Sequence, residues 1–197
     1  VATASHRLSS SSIEVESGKT FHALILPKKT VFQLCNLLVD TSEKIIIQTS
    51  DNKIQFRIGK SKLISKVIDG KFPDYRKVVP ANNDKILTVR SIDFVQAIER
   101  VITVSIDRKE GVKLVLSKDN IKFSVHSTNS GEGNEIVKSN YTAEETTVSF
   151  NSKYLVDIVS EVEDKNLKIS LKDSISPVLI EDMSDKNSYY VVMPMKI

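Results

Sequence analysis

The 197 residues carry 28 Lys and Arg against 25 Asp and Glu, 40% hydrophobic residues and a single cysteine, Cys35. This is the composition of a globular chain with one or two cored domains, and it excludes a disordered chain, an internal disulfide and a zinc cluster. No apolar run reaches the ~18 residues that span a bilayer and no signal peptide precedes the first strand, so the expected setting is a reducing cytoplasm.

Charge is unevenly spread. Residues 1–80 hold 13 basic against 7 acidic side chains, a net of +6, and residues 81–197 hold 15 against 18, a net of −3. Any polyanion would be met by local faces and not by the whole surface.

In chain order, residues 1–26 offer two strand-like segments, Arg7 to Ile13 and Thr20 to Leu26, but no helix. They read as the end of a repeat whose helix lies upstream, so the chain is expected to begin in mid-domain. Val31, Leu34, Cys35 and Leu38 then fall at i, i+3, i+4 and i+7, one apolar stripe on a short helix. An alternating strand follows (Ile45–Gln48), then a Ser50-Asp51-Asn52 turn and a returning strand (Ile54–Ile58). From Phe72 to Pro80 two prolines bracket a basic stretch, and polar Asn82-Asn83-Asp84 comes next; the boundary is placed here, giving domains 1–75 and 76–197.

The same unit recurs twice more. Its second stripe is Phe94, Ala97, Ile98 and Val101, followed by Val112–Leu116, a Lys118-Asp119-Asn120 turn and Ile121–Val125. The third stripe is Leu155, Ile158, Val159 and Val162, followed by Leu167–Leu171, Asp173-Ser174, Val178–Ile180 and a closing strand ending Tyr189–Met193. The stripes start 63 and 61 residues apart. Asn and Asp suit such turns because they tolerate positive φ. The fold class is α+β: a helix followed by an antiparallel β-meander, repeated about every 60 residues. One such unit is too small for a core, and two side by side would put two helices on one face of a larger sheet.

Chemistry-bearing residues are sparse. His6 beside Ser5 and Ser9 suggests a base and a nucleophile, but the sequence supplies neither a G-x-S-x-G elbow nor an ordered acid; a His-dependent hydrolase stays an alternative, as does a peptide-binding adaptor with no link to DNA. Three dispersed histidines and one cysteine make no metal site. Gly131-Glu132-Gly133 is the nearest approach to a phosphate loop and reads as a plain loop, so neither cofactor nor catalytic residues are expected.

Four stretches carry a resemblance. Val1-Ala2-Thr3-Ala4-Ser5-His6-Arg7-Leu8 resembles V-A-T-D-G-H-R-L, and Asp69 to Pro80 is similar to D-G-x-F-P-D-Y-R-x-V-x-P. Phe150 to Tyr154 resembles F-N-x-x-Y, and Tyr190 to Met195 resembles Y-V-V-M-P-M. All four, in this order, belong to the bacterial replicative sliding clamps, the DNA polymerase III beta subunits. The resemblance implies a DNA-clamp fold: a ring of two crescent subunits, each of three two-unit domains, with helices lining the hole. This chain would hold most of the second domain and all of the third.

The resemblance also implies function. A pocket between the two domains would capture short peptides from the polymerase catalytic subunit, the clamp loader and repair proteins. Its wall would take Thr3, Ser5, His6, Arg7 and Leu8 from the opening motif and Pro73, Lys77 and Val78 from the second. Asn151 and Tyr154 would come from the third, and Val191, Val192, Met193, Pro194 and Met195 from the last. Lys28, Lys29, Arg100 and Lys153 would face duplex DNA through phosphate contacts without sequence preference. The full-length protein would be a homodimer, the part seen here a monomer, and neither would engage a membrane. Three departures stand out: Ala4-Ser5 replaces Asp-Gly, Lys77 replaces a common arginine, and Pro177 replaces a small polar residue.

Overall fold

A computed structural model describes residues 1–15, 22–39, 42–105, 111–127, 131–162 and 166–196. In chain order the elements are β1 (Ala2–Ala4), β2 (Arg7–Ser11), α1 (Lys28–Leu37), β3 (Ile45–Thr49), β4 (Lys53–Ile58) and β5 (Ser61–Lys66). A 3-10 turn (Tyr75–Val78) leads to β6 (Lys85–Arg90), α2 (Ser91–Val101), β7 (Gly111–Ser117), β8 (Asn120–Ser127), β9 (Gly131–Lys138) and β10 (Asn140–Tyr141). Then come β11 (Thr146–Asn151), α3 (Ser152–Val159), β12 (Asn166–Leu171), β13 (Val178–Asp182) and β14 (Ser188–Val192). The expected helix-then-meander order therefore occurs three times: α1 with β3–β5, α2 with β7–β9, and α3 with β12–β14.

These elements gather into two compact units, Val15–Asp74 and the remainder, Val1–Glu14 with Tyr75–Ile197. The first fourteen residues thus fold with the C-terminal part, although the sequence groups them with residues up to 75. The reason is strand pairing: β2 lies antiparallel to β14, with Leu8 opposite Val191 and Arg7 opposite Val192.

In the larger unit, period-two alternation buries Val112, Leu114 and Leu116 of β7 and Ile121, Phe123 and Val125 of β8, while Lys113 and Lys122 stay exposed. Both helical stripes are buried as the spacing predicts, Phe94 with none of its surface exposed. The Phe94 and Phe123 rings meet edge to face at 5.2 Å, an arrangement favoured by the aromatic quadrupole.

One expectation needs correction. There is no single larger sheet. The unit holds a seven-stranded sheet, β1-β2-β14-β13-β12-β6-β10, and a four-stranded sheet, β11-β7-β8-β9. Each meander is joined by the leading strand of the other copy: β6 runs into α2 but pairs with β12, and β11 runs into α3 but pairs with β7. No loop separates either strand from its helix, so the helix itself carries the chain from one sheet to the other. The exchange ties the two copies into one core.

Close packing also explains Gly133 on β9. A Cβ there would stand 2.7 Å from the carbonyl oxygen of Val101 at the end of α2, and backbone cannot swing aside. Gly133→Ala is expected to destabilise the unit by roughly 1–3 kcal/mol, read from urea unfolding; an unchanged midpoint would show that α2 and β9 can separate freely.

The smaller unit has one copy of the repeat, and its helix is poorly covered. On the sheet β3-β4-β5, the central strand buries Ile54, Phe56 and Ile58. On α1 only Thr30 is buried, its hydroxyl 2.7 Å from that of Ser65. Val31 of the expected stripe is 43% exposed and Cys35 is exposed too, because a single copy offers no second sheet to cover them. The strand expected over Thr20–Leu26 is reduced, in its described part, to one bridge between Ile25 and Ile68; Thr20 and Phe21 lie outside the described residues. No helix among the described residues is long and apolar enough to cross a membrane.

Candidate functional site

The opening motif folds as the β1–β2 hairpin, in which Ala4 pairs with Arg7 and Ser5-His6 forms the turn. Among the described non-glycine residues only Asp119 has positive φ, so this turn asks nothing of a glycine and Ser5 occupies it without strain. Thr3 Oγ1 donates to the carbonyl of Arg7 at 3.3 Å and steadies the hairpin.

The C-terminal tail is tied to both sheets. Leaving β14, Met193 N donates to the carbonyl of His6 at 2.9 Å, and two residues later Met195 N donates to the carbonyl of Ser149 at 2.7 Å. His6 belongs to the hairpin of the seven-stranded sheet and Ser149 to β11 of the four-stranded one. The Met-Pro-Met segment is therefore a strap across the ends of both sheets.

Helix α3 closes the third side. Tyr154 and Asp157 are three residues apart on it and so share a face. Arg7 reaches both: its guanidinium lies 4.5 Å above the Tyr154 ring, and its Nη1 donates to Asp157 Oδ2 at 2.6 Å. Lys153 Nζ stands 3.5 Å from the other oxygen, Oδ1. Partial burial pushes the Asp157 carboxyl up, but the hydrogen bond from Arg7 and the charges of Lys153 and Arg7 outweigh it and hold the group below its ordinary value.

A folded-state value below the unfolded one means that the pair's stabilisation is complete above the ordinary carboxylate range, near ~3.9, and is lost as pH falls through the depressed value. The stability difference between the parent and Asp157→Ala is accordingly expected to shrink on acidification from about pH 7 to about pH 3. A difference that holds constant over that span would show that the carboxylate charge adds nothing.

The predicted wall residues fare differently. Thr3, His6, Arg7, Asn151, Tyr154, Met193, Pro194 and Met195 meet around this corner, with Ser5 beside them in the hairpin turn. Met195 is 37% exposed, and Met193 and Pro194 are half-buried. The amide oxygen of Asn151, at the end of β11, is buried without a hydrogen-bond partner among the described residues. Leu8, Val191 and Val192 are buried members of the strands behind the corner, Val192 with no exposed surface, so they support its wall from beneath. Lys77 and Val78 are exposed on the 3-10 turn where the chain returns to the larger unit, and Pro73 belongs to the smaller unit. Asp157 was not among the predicted residues; its three-residue spacing from Tyr154 was the available signal. Among the described residues the ring of His6 is hydrogen-bonded to no carboxylate.

Of the basic side chains expected to face DNA, Lys153 on α3 is 70% exposed and stands 3.5 Å from Asp157. Arg100 on α2 is engaged by Glu135 of β9 at 2.9 Å. Lys28 and Lys29 start α1, the former 5.4 Å over the Phe32 ring. No group of three or more His, Cys, Asp or Glu among the described residues could hold a metal ion.

Duplicated helix-and-meander copies that exchange their leading strands define an α+β protein of the DNA-clamp class. Residues 76–196 match the C-terminal domain, and residues 1–74 the central domain, of the DNA polymerase III beta subunit family. The beta sliding clamp of Caulobacter vibrioides is 34% identical over 198 residues, covering 100% of this chain and 53% of that protein. The crystal structure of a DnaN sliding clamp from Bartonella birtlesii superposes with a TM-score of 0.95 at 36% identity, covering 100% of this chain and 57% of the other. A second structure of a clamp from that organism, bound to griselimycin, gives 0.92 at 36% identity over 98% of this chain and 52% of the other. The chain belongs to the DNA polymerase III beta subunit family, the bacterial sliding clamps. It spans about half the length of these relatives.

Proposed function

We propose that this chain supplies the partner-docking part of a ring-shaped sliding clamp, a non-catalytic processivity factor that tethers replication and repair proteins to duplex DNA in the bacterial cytoplasm. The supporting observation is the strapped corner of the larger unit. An exposed methionine tail, a stacked arginine and a tyrosine meet there on a rigid base of two sheets and a helix. Apolar, adaptable methionines accept varied side chains, while fixed polar groups orient a short segment. Linear motifs of the polymerase catalytic subunit, the clamp loader and repair proteins fit that chemistry. The full-length protein would close as a homodimer around DNA and hold partners at high local concentration, so its own affinity for DNA can stay low. Lys28, Lys29, Arg100 and Lys153 would meet phosphates; a salt titration of full-length protein on duplex DNA measures that term.

Calorimetric titration with griselimycin tests the docking function. The parent is expected to bind, and Met195→Ala to weaken binding roughly tenfold, the loss of one well-placed anchor. No uptake by the parent, or undiminished affinity in the variant, would remove the corner as the docking site. Leu8→Ala is a poor probe here, because a buried side chain reports stability first.

A further inference from the structure

From the geometry around Arg7 we infer that Asp157 is a positioning residue for docking. It holds the Arg7 guanidinium over the Tyr154 ring, so that the remaining N–H groups present themselves to the carbonyl oxygens of a bound peptide. This rests on the docking function proposed above.

Arg7 has more donors to offer than any other corner residue, yet its side chain springs from a hairpin strand and has many rotamers. Two contacts remove that freedom. The ring of Tyr154, 4.5 Å away, holds the guanidinium over its face, and Asp157 at 2.6 Å limits its rotation there. Stacking alone would leave the group free to turn, because attraction to the ring face is nearly indifferent to that rotation. The carboxylate supplies direction. Its two oxygens are divided, Oδ2 to Arg7 and Oδ1 toward Lys153, so the acid is itself held from both sides.

Arg7 and Lys153 share the one carboxylate of Asp157, so the cluster keeps a net positive charge and the outward N–H groups of Arg7 suit peptide oxygens, backbone carbonyls among them. Pre-arranging a donor that would otherwise be ordered during binding raises affinity without adding a contact.

The test is a double-mutant cycle of Arg7→Ala and Asp157→Ala, with griselimycin as the calorimetric probe and unfolding midpoints recorded for each variant. Alanine suits a helix, so α3 should persist. Asp157→Ala is expected to lower affinity about tenfold alone and by less than about twofold when Arg7 is already absent, the signature of coupled neighbours. Equal losses in both backgrounds would overturn the proposal. A second readout needs no ligand: the Arg7 side-chain proton resonances, shifted by the Tyr154 ring current in the parent, should move toward solvent values in Asp157→Ala. Unmoved resonances would likewise overturn it. If the parent takes up no griselimycin, the docking function fails, while the resonances still decide whether Asp157 positions Arg7.

Discussion

Phe94→Ala is expected to cost the larger unit about 3–5 kcal/mol, more than any other single truncation considered. Phe94 has no exposed surface, and it stands on α2 at the edge-to-face contact with Phe123 of β8. It also borders a small void lined only by apolar side chains, among them Leu114, Leu155 and Ile169, drawn from both sheets and α3. Removing the ring would extend that void in a place where neither sheet can close in, since the exchanged strands hold both in register. The measurement is convenient: the chain has no tryptophan, and its five tyrosines, Tyr75, Tyr141, Tyr154, Tyr189 and Tyr190, all lie in the larger unit. Tyrosine fluorescence in urea therefore reports this unit, and its midpoint should fall by roughly 1–3 M for an ordinary slope. A midpoint close to the parent's would mean that the two copies do not share one core.

The same residue shows what could be read from the sequence and what could not. Phe94, Ala97, Ile98 and Val101 announce a buried helical face because helical spacing is local, set by 3.6 residues per turn. The third stripe is equally legible, and so are the meanders, whose hairpins join neighbours in sequence. The partition into two sheets is not. Alternation in β6 and β11 says that each is a strand, but it carries no record of its partner, and each pairs across the copy boundary. The first stripe gives a helix as its spacing says, and Val31 and Cys35 stay exposed in this piece of the protein, because burial needs a second layer as well as a pattern.

At the proposed docking corner, motif resemblance names Arg7, Tyr154 and the methionine tail, but not the ion pair between Arg7 and Asp157. Arg7 and Asp157 are 150 residues apart, and a charged residue on a helix surface usually signals only solvation. Val191 and Val192 make the opposite case. Resemblance puts them in the wall, and both are buried at the end of β14. They matter to the corner by holding β2 against β14, and thereby fixing where Arg7 starts.

That arrangement makes Tyr154 the residue whose loss should harm docking most. Tyr154→Ala would remove the face on which Arg7 rests and the only aromatic surface among the predicted wall residues, leaving the guanidinium tethered by Asp157 alone. Aromatic and arginine anchors carry a disproportionate share of interface energy, on the order of 2 kcal/mol or more each, and here one supports the other. Griselimycin affinity is accordingly expected to fall about thirtyfold. Tyr154→Phe should retain most of it, since the ring face and not the hydroxyl bears the arginine. The pair of variants separates two physical roles. Equal losses in both would move the determinant to the hydroxyl and away from stacking, and an undiminished affinity in Tyr154→Ala would place docking elsewhere on the molecule. A loss confined to the alanine variant, with its unfolding midpoint near the parent's, would trace recognition to one arginine–tyrosine contact backed by a carboxylate on the same helix.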